Sequence, residues 1–180
     1  MPSFVTMLRG VNVGGSKKLK MSELSELYSS LGLEGVRTYI QSGNVVFSTS
    51  QRNTSGLVKR IEKELKDHLG SEVTVFIRTP DELGKIVAKN PFVERDRRWL
   101  HVTFLYETPK DHPMEKLNAA RSKGEEFSIS DKEVFLFLPN GMGRTKLSNS
   151  FFEKMLLVPA TTRNWNTVTT LFEMAKEALK

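Results

Sequence analysis

The sequence predicts an α+β protein of two related halves, residues 1–90 and 91–180. Two observations carry this. The apolar period switches cleanly between the alternation of strands and the 3.6-residue repeat of helices, and the same order of elements is met twice along 180 residues. A third observation concerns chemistry, since the charge is concentrated in two segments rich in Gly, Asn and Thr.

Phe4 to Leu8 form an apolar run of strand length, followed by the polar loop RGVNVGGSKKLK. Met21, Leu24, Leu27, Tyr28 and Leu31 then share one helical face that ends near Gly32. Residues 36–41 and 44–48 read as strands joined by Ser42 and Gly43, a two-residue hairpin turn in which glycine supplies the positive φ. Leu57, Val58, Ile61, Leu65 and Leu69 mark the next helix, and Val73, Val75 and Ile77 the strand after it. Strand, helix, strand, strand, helix, strand is the order of a ferredoxin-like unit.

A short helix follows, with Thr79 as N-cap, Pro80 at its first position and Glu82 closing a capping box. It should stop before Asn90 and Pro91, and PFVERDRRW reads as the connection between halves. The second half then offers a strand over 100–106, a helix over 113–121 and a hairpin of 126–129 with 133–138. After a Gly-rich loop, Phe151, Phe152, Met155 and Leu156 mark one helix, and Val168, Leu171, Phe172 and Ala175 a last one. The expectation is an incomplete βαββα half, closed by a helix where the first half has its fourth strand.

Composition narrows the class. A chain with 38% hydrophobic and 27% charged residues can bury one good core or two small coupled ones. No apolar run approaches the roughly 20 residues that span a bilayer, and MPSFVTMLRG lacks the charge and apolar length of a secretory leader, so a cytoplasmic location without a membrane partner is expected. The absence of cysteine excludes disulfides, thiol catalysis and cysteine-held metal centres. His68, His101 and His112 share no ligand spacing, so neither metal nor cofactor is called for, and no residue pattern specifies an oligomeric state.

The net charge of +6 is unevenly placed. Arg9, Lys17, Lys18 and Lys20 precede the first acid, Glu23, and Arg144, Lys146, Lys154 and Arg163 face Glu153 alone between Val134 and Phe172. The stretch between the two segments holds 17 bases and 18 acids. In a ferredoxin-like unit the first two strands run parallel with the third between them. The loop leaving the first strand must therefore lie at the same end of the sheet as the turn between the second and third. That puts Arg9, Asn12, Gly14, Gly15, Lys17 and Lys18 near Gln41, Ser42 and Asn44, a donor-rich corner suited to an anion. Taken singly, these residues also suit ordinary turns. Their convergence is what points to a site.

Other readings stand beside it. GVNVGGSKK is not a nucleotide-binding P-loop, because Ser16 separates the glycines from Lys17 and no Ser or Thr follows the lysine as that motif requires. Weak nucleic-acid binding through the same loops is an alternative. The aromatic stacking platform of RNA-binding sheets is missing, since Phe4–Leu8 and Val45–Phe47 are apolar on both faces. A third reading is an interaction module in which Phe92, Trp99 and Trp165 form an exposed apolar patch. In PATTRNWNTV, Asn164 or Thr162 would cap the final helix, with Arg163 at its start against the dipole and either donating to a ligand or bonding within the loop. Arg144 and Lys146 carry the same ambiguity, and on the ligand reading Arg144 and Arg163 are expected to close the corner from the other half. No Ser, His and Asp set and no carboxylate pair emerges, so no reaction can be read, and any general base would have to be Glu23, Glu72 or Glu153 brought in by folding.

The strings LRGVNVGG, KLKM, TYIQSGNVVF, NPF, GRTKLS and TTRNWNTV, in this order, resemble a bacterial family known as domain of unknown function 1697. The resemblance implies a two-subdomain α+β protein and no established activity. Its motif positions here are Arg9, Gly10, Asn12, Gly14, Gly15 and Lys20, then Gln41 to Asn44, Asn90 to Phe92, and Arg163 to Trp165.

Overall fold

In a computed structural model that describes residues 1–15 and 17–178, the chain divides into two compact units. The first comprises 1–84 together with 170–180, and the second 85–169. Residues 170–178, expected on sequence in the second half, thus group with the first. Ser3 and Arg37 show how the last helix is held there: the Ser3 hydroxyl donates to the Ala175 carbonyl at 2.9 Å, and Arg37 donates to the Met174 carbonyl at 2.8 Å.

The first unit runs β1 (Ser3–Leu8), α1 (Met21–Ser30), β2 (Glu34–Tyr39), β3 (Asn44–Ser48), α2 (Thr54–Leu69) and β4 (Val75–Arg78), then enters α3 (Pro80–Lys89). Its sheet has the order β2-β3-β1-β4 with every neighbouring pair antiparallel. β1 is central and buried along its whole length, its apolar residues covered on both faces and its two hydroxyl residues, Ser3 and Thr6, hydrogen-bonded. Phe4, Leu8, Val45 and Phe47 pack with Leu24, Leu27 and Tyr28 of α1 and Leu57, Ile61 and Leu65 of α2. The Tyr28 ring meets Phe47 edge-on at 5.5 Å, and its hydroxyl shares a 2.8 Å hydrogen bond with Thr6. Burial raises the Tyr28 phenol far above its ordinary pKa, with the Thr6 bond a smaller opposing effect. Val5, Met7, Val46 and Phe76, pointing to the other side of the sheet, are buried as well. A base-stacking platform on β1 and β3 is therefore unavailable.

The start of α3 follows the expected capping box: the Glu82 amide donates to the Thr79 hydroxyl at 3.2 Å, and Glu82 accepts the Thr79 amide at 2.8 Å. The β2 to β3 connection differs from expectation. Tyr39 pairs with Asn44, so four residues, Ile40 to Gly43, make the turn in place of two. Ile40 at φ +49° and Gly43 at φ +79° both take left-handed backbone conformations.

The second unit contains β5 (Leu100–Leu105), α4 (Met114–Ala119), β6 (Glu126–Ser130), β7 (Glu133–Phe137), α5 (Asn149–Leu156) and β8 (Ala160–Asn164), followed by the start of α6 (Trp165–Glu177). Its sheet has the order β6-β7-β5-β8, again antiparallel throughout. The expected incomplete half is corrected: a fourth strand, β8, precedes the last helix. Its sequence ATTRN has no apolar alternation, and it pairs only with β5 at the sheet edge, where β-branched threonines suffice. Thr162 and Thr103, opposite one another, share a 2.8 Å hydroxyl bond. Leu117, Val134, Leu136, Phe152 and Leu156 form the core. Phe92 and Trp165 are 8% and 2% exposed, which removes the apolar patch expected of them. Among the described residues no helix is long and apolar enough to cross a membrane.

Candidate functional site

The corner expected from topology assembles in the first unit. As β1 ends, the Leu8 amide donates to the Gly43 carbonyl at 2.8 Å, and the next amide, Arg9, donates to the Thr74 carbonyl at 3.0 Å. Val11 turns inward and is buried against the β2 to β3 turn. The fit there is tight. A Cβ at position 43 would lie 2.7 Å from Val11 Cγ2 and 2.9 Å from Leu8 Cβ, so a glycine is required by space as well as by its φ.

Asn12 ties the loop to the turn. Its Nδ2 donates to the Leu19 carbonyl at 2.8 Å and to the Gln41 carbonyl at 2.7 Å, while its Oδ1 accepts the Leu19 amide at 2.9 Å. Both amide protons are committed, so Asn12 is a brace for the site, not a donor into it. Its φ of +56° suits asparagine, which tolerates the left-handed region better than most residues. Asn44 braces the turn in the same way, donating to the Tyr39 carbonyl and the Ser42 hydroxyl, each at 2.9 Å.

Between the braced loop, the turn and the start of α1 lies a cleft of about 620 Å³. Asn12, Gly15, Lys18 and Gln41 of the expected site residues line it. Leu19, Lys20 and Glu23 join them. Lys18 and Lys20 are exposed, whereas Leu19 between them is buried and serves as the anchor that points both lysines outward. Glu23 sits in the first turn of α1, where its Oε2 accepts the Lys20 amide at a long 3.4 Å and lies 3.8 Å from His68 Nε2.

The remaining expected residues are placed otherwise. Lys17 donates to the Glu72 carbonyl at 2.7 Å, and Arg9, Gly14, Ser42 and Asn44 frame the loop and turn without lining the cleft. Arg144 is exposed in a short 3-10 turn of the second unit. Arg163 lies in β8 and not at a helix start. Asn164 is the cap of α6, accepting the Thr167 amide at 2.8 Å. Arg163 is 7% exposed, and its side chain donates to the Thr161 hydroxyl at 2.8 Å and the Thr162 carbonyl at 3.0 Å. Burial pushes its pKa down to about 10, still protonated at neutral pH. Leu19, Lys20 and Glu23 are the lining residues absent from the site expected on sequence, although KLKM, with Glu23 two residues on, holds the signal for all three. Among the described residues no group of three or more His, Asp or Glu is disposed to hold a metal ion.

This loop, turn and helix start fall within residues 1–135, which match the family model described as "Protein of unknown function (DUF1697)". The chain belongs to this family. The resemblance in LRGVNVGG, KLKM and TYIQSGNVVF is thereby established, while GRTKLS and TTRNWNTV lie beyond the matched segment. Among solved structures, this DUF1697 chain is similar to the conserved bacterial protein SP0830 from Streptococcus pneumoniae, with 22% identity and a TM-score of 0.72 over 97% of this chain and 98% of the other. That likeness is one of fold. No curated protein matches the chain.

Proposed function

We propose that the cleft beside α1 binds a small phosphorylated or carboxylated ligand. The observation that carries this is the outward pairing of Lys18 and Lys20 over a cleft of about 620 Å³, within the usual size range of small-molecule sites. Lysine presents a compact positive donor with freedom to meet an anion. The Gln41 side chain adds a neutral donor, and Gly15 leaves room for close approach to the backbone. Asn12 and Asn44 hold the frame rigid, which lowers the ordering cost of binding. The strand order of each unit agrees with the ferredoxin-like reading, a fold that hosts many unrelated functions, so the assignment rests on the cleft itself.

Thermal unfolding at fixed ionic strength, against phosphate, sugar phosphates, nucleotides, carboxylates and short oligonucleotides, tests the proposal. A ligand at about a hundred times its dissociation constant stabilises by about 2.7 kcal/mol, a rise in Tm of roughly 5 to 10 °C for a chain of this size. The expected result is such a rise with one class of small anion, lost when Lys18→Ala and Lys20→Ala are combined. A rise with oligonucleotides alone, falling steeply with salt, would replace the small ligand by a nucleic acid.

A further inference from the structure

We infer that the ligand of this cleft is zwitterionic, its anion held by Lys18 and Lys20 and its cation by Glu23. The inference rests on the reading of the cleft as an anion site and names the class of anion. A cleft built for a bare anion gains nothing from a carboxylate in its wall, since like charge repels the ligand. Glu23 is nonetheless part of the lining, with its side chain 42% exposed.

Its helix-capping role leaves most of the group uncommitted. The bond to the Lys20 amide is 3.4 Å, beyond the usual 2.7 to 3.2 Å for N–H to O. An ionised carboxylate offers about four acceptor positions, and one long bond occupies one of them. His68, half-exposed on α2, stands 3.8 Å away and is a cation only when protonated.

The surroundings continue the same polarity. Glu23 also lines a neighbouring groove of about 270 Å³ between α1 and α2, together with Glu26, Ser30, Glu64 and His68. Moving from the loop toward this groove, the surface passes from two lysines through Glu23 to two further carboxylates. A molecule with an anion at one end and an ammonium at the other meets opposite charge at both ends. The same Glu23 that attracts it discriminates against simple anions, so specificity comes from one residue acting in both senses.

Calorimetric titration of the whole protein with phosphoethanolamine and with ethyl phosphate tests this, since the two differ in the terminal ammonium. Wild-type protein should bind phosphoethanolamine about tenfold more tightly, the worth of one charge-assisted hydrogen bond partly exposed to water. In Glu23→Gln the two affinities should converge to within about twofold, with ethyl phosphate binding more tightly than it does to wild type. Glutamine serves at the same capping position, so the melting temperature should stay put. Equal affinities in wild type, or a preference that survives Glu23→Gln, overturn the inference. If both probes bind equally and are lost in the Lys18→Ala, Lys20→Ala pair, the anion site stands and only the zwitterion fails. If neither probe binds, the zwitterion fails, and the anion site is decided by the remaining classes of the thermal unfolding test.

Discussion

Two basic segments of the chain contain four cations each, and folding disposes them differently. In the segment between β1 and α1, buried Val11 and Leu19 pin the loop at two points, Asn12 ties it to the neighbouring turn, and Lys18 and Lys20 are left facing a cleft. In the segment from β7 to α6, Arg163 is taken into β8 and hydrogen-bonded to Thr161 and Thr162. Arg144 is left exposed on a short turn. A cation on a strand has its direction set by the pleat, which alternates side chains between faces. A cation on a loop points where the buried residues beside it allow. Two segments with the same number of cations thus differ in how many of those cations a ligand can reach.

The comparison is broken most severely at Gly43. Alanine there combines a left-handed φ with a Cβ 2.7 Å from Val11 and 2.9 Å from Leu8, both of them buried. Conformational strain and overpacking together should cost about 3 kcal/mol, read as a lowered midpoint in urea. Ligand stabilisation should vanish with it, because the turn and the loop would no longer meet. A cost below about 1 kcal/mol would mean that the seam is soft and that the cleft does not depend on it.

Arg163→Ala against Lys18→Ala sharpens the contrast between buried and exposed cation. The first removes a buried side chain and strands the groups it bonds, for a loss of about 2 kcal/mol. The second should stay within about 0.5 kcal/mol, as surface substitutions do. Denaturation of both variants in parallel checks this, and equal losses would erase the distinction drawn here.

The smallest expected effect is a gain. Ile40, a β-branched residue at φ +49° and 47% exposed, holds a conformation that glycine adopts without strain. Ile40→Gly should raise stability by about 0.5 to 1 kcal/mol, after the added freedom of the unfolded chain is allowed for. A loss on thermal unfolding would show that the exposed Ile40 side chain packs against the turn strongly enough to outweigh its backbone strain.

Much of the fold was legible because periodicity is a local property. The apolar run of β1, the helical face of Leu24, Leu27 and Tyr28, and the capping box at Thr79 all act within a few residues of themselves. β8 is not legible in the sequence because an edge strand of ATTRN is defined by its partner β5 and not by its own pattern. The sequence suggests a two-residue turn where four residues make it, since a left-handed isoleucine contradicts local preference. The candidate site divides likewise. Its end of the sheet follows from strand order, but the role of Asn12 does not: its residue type suits a ligand donor, whereas both its amide protons are committed to the loop and the turn.

By itself, then, the sequence determined the order of elements, the two cationic segments and the meeting of the first loop with the β2 to β3 turn, all of which follow from chain connectivity and short-range pattern. Tertiary structure alone decided that Arg163 is buried, that Lys18 and Lys20 are presented and that Glu23 stands in the same cleft. The direction of a side chain depends on which distant residues bury its neighbours. Connectivity brings segments together, and packing selects the atoms that face the space between them.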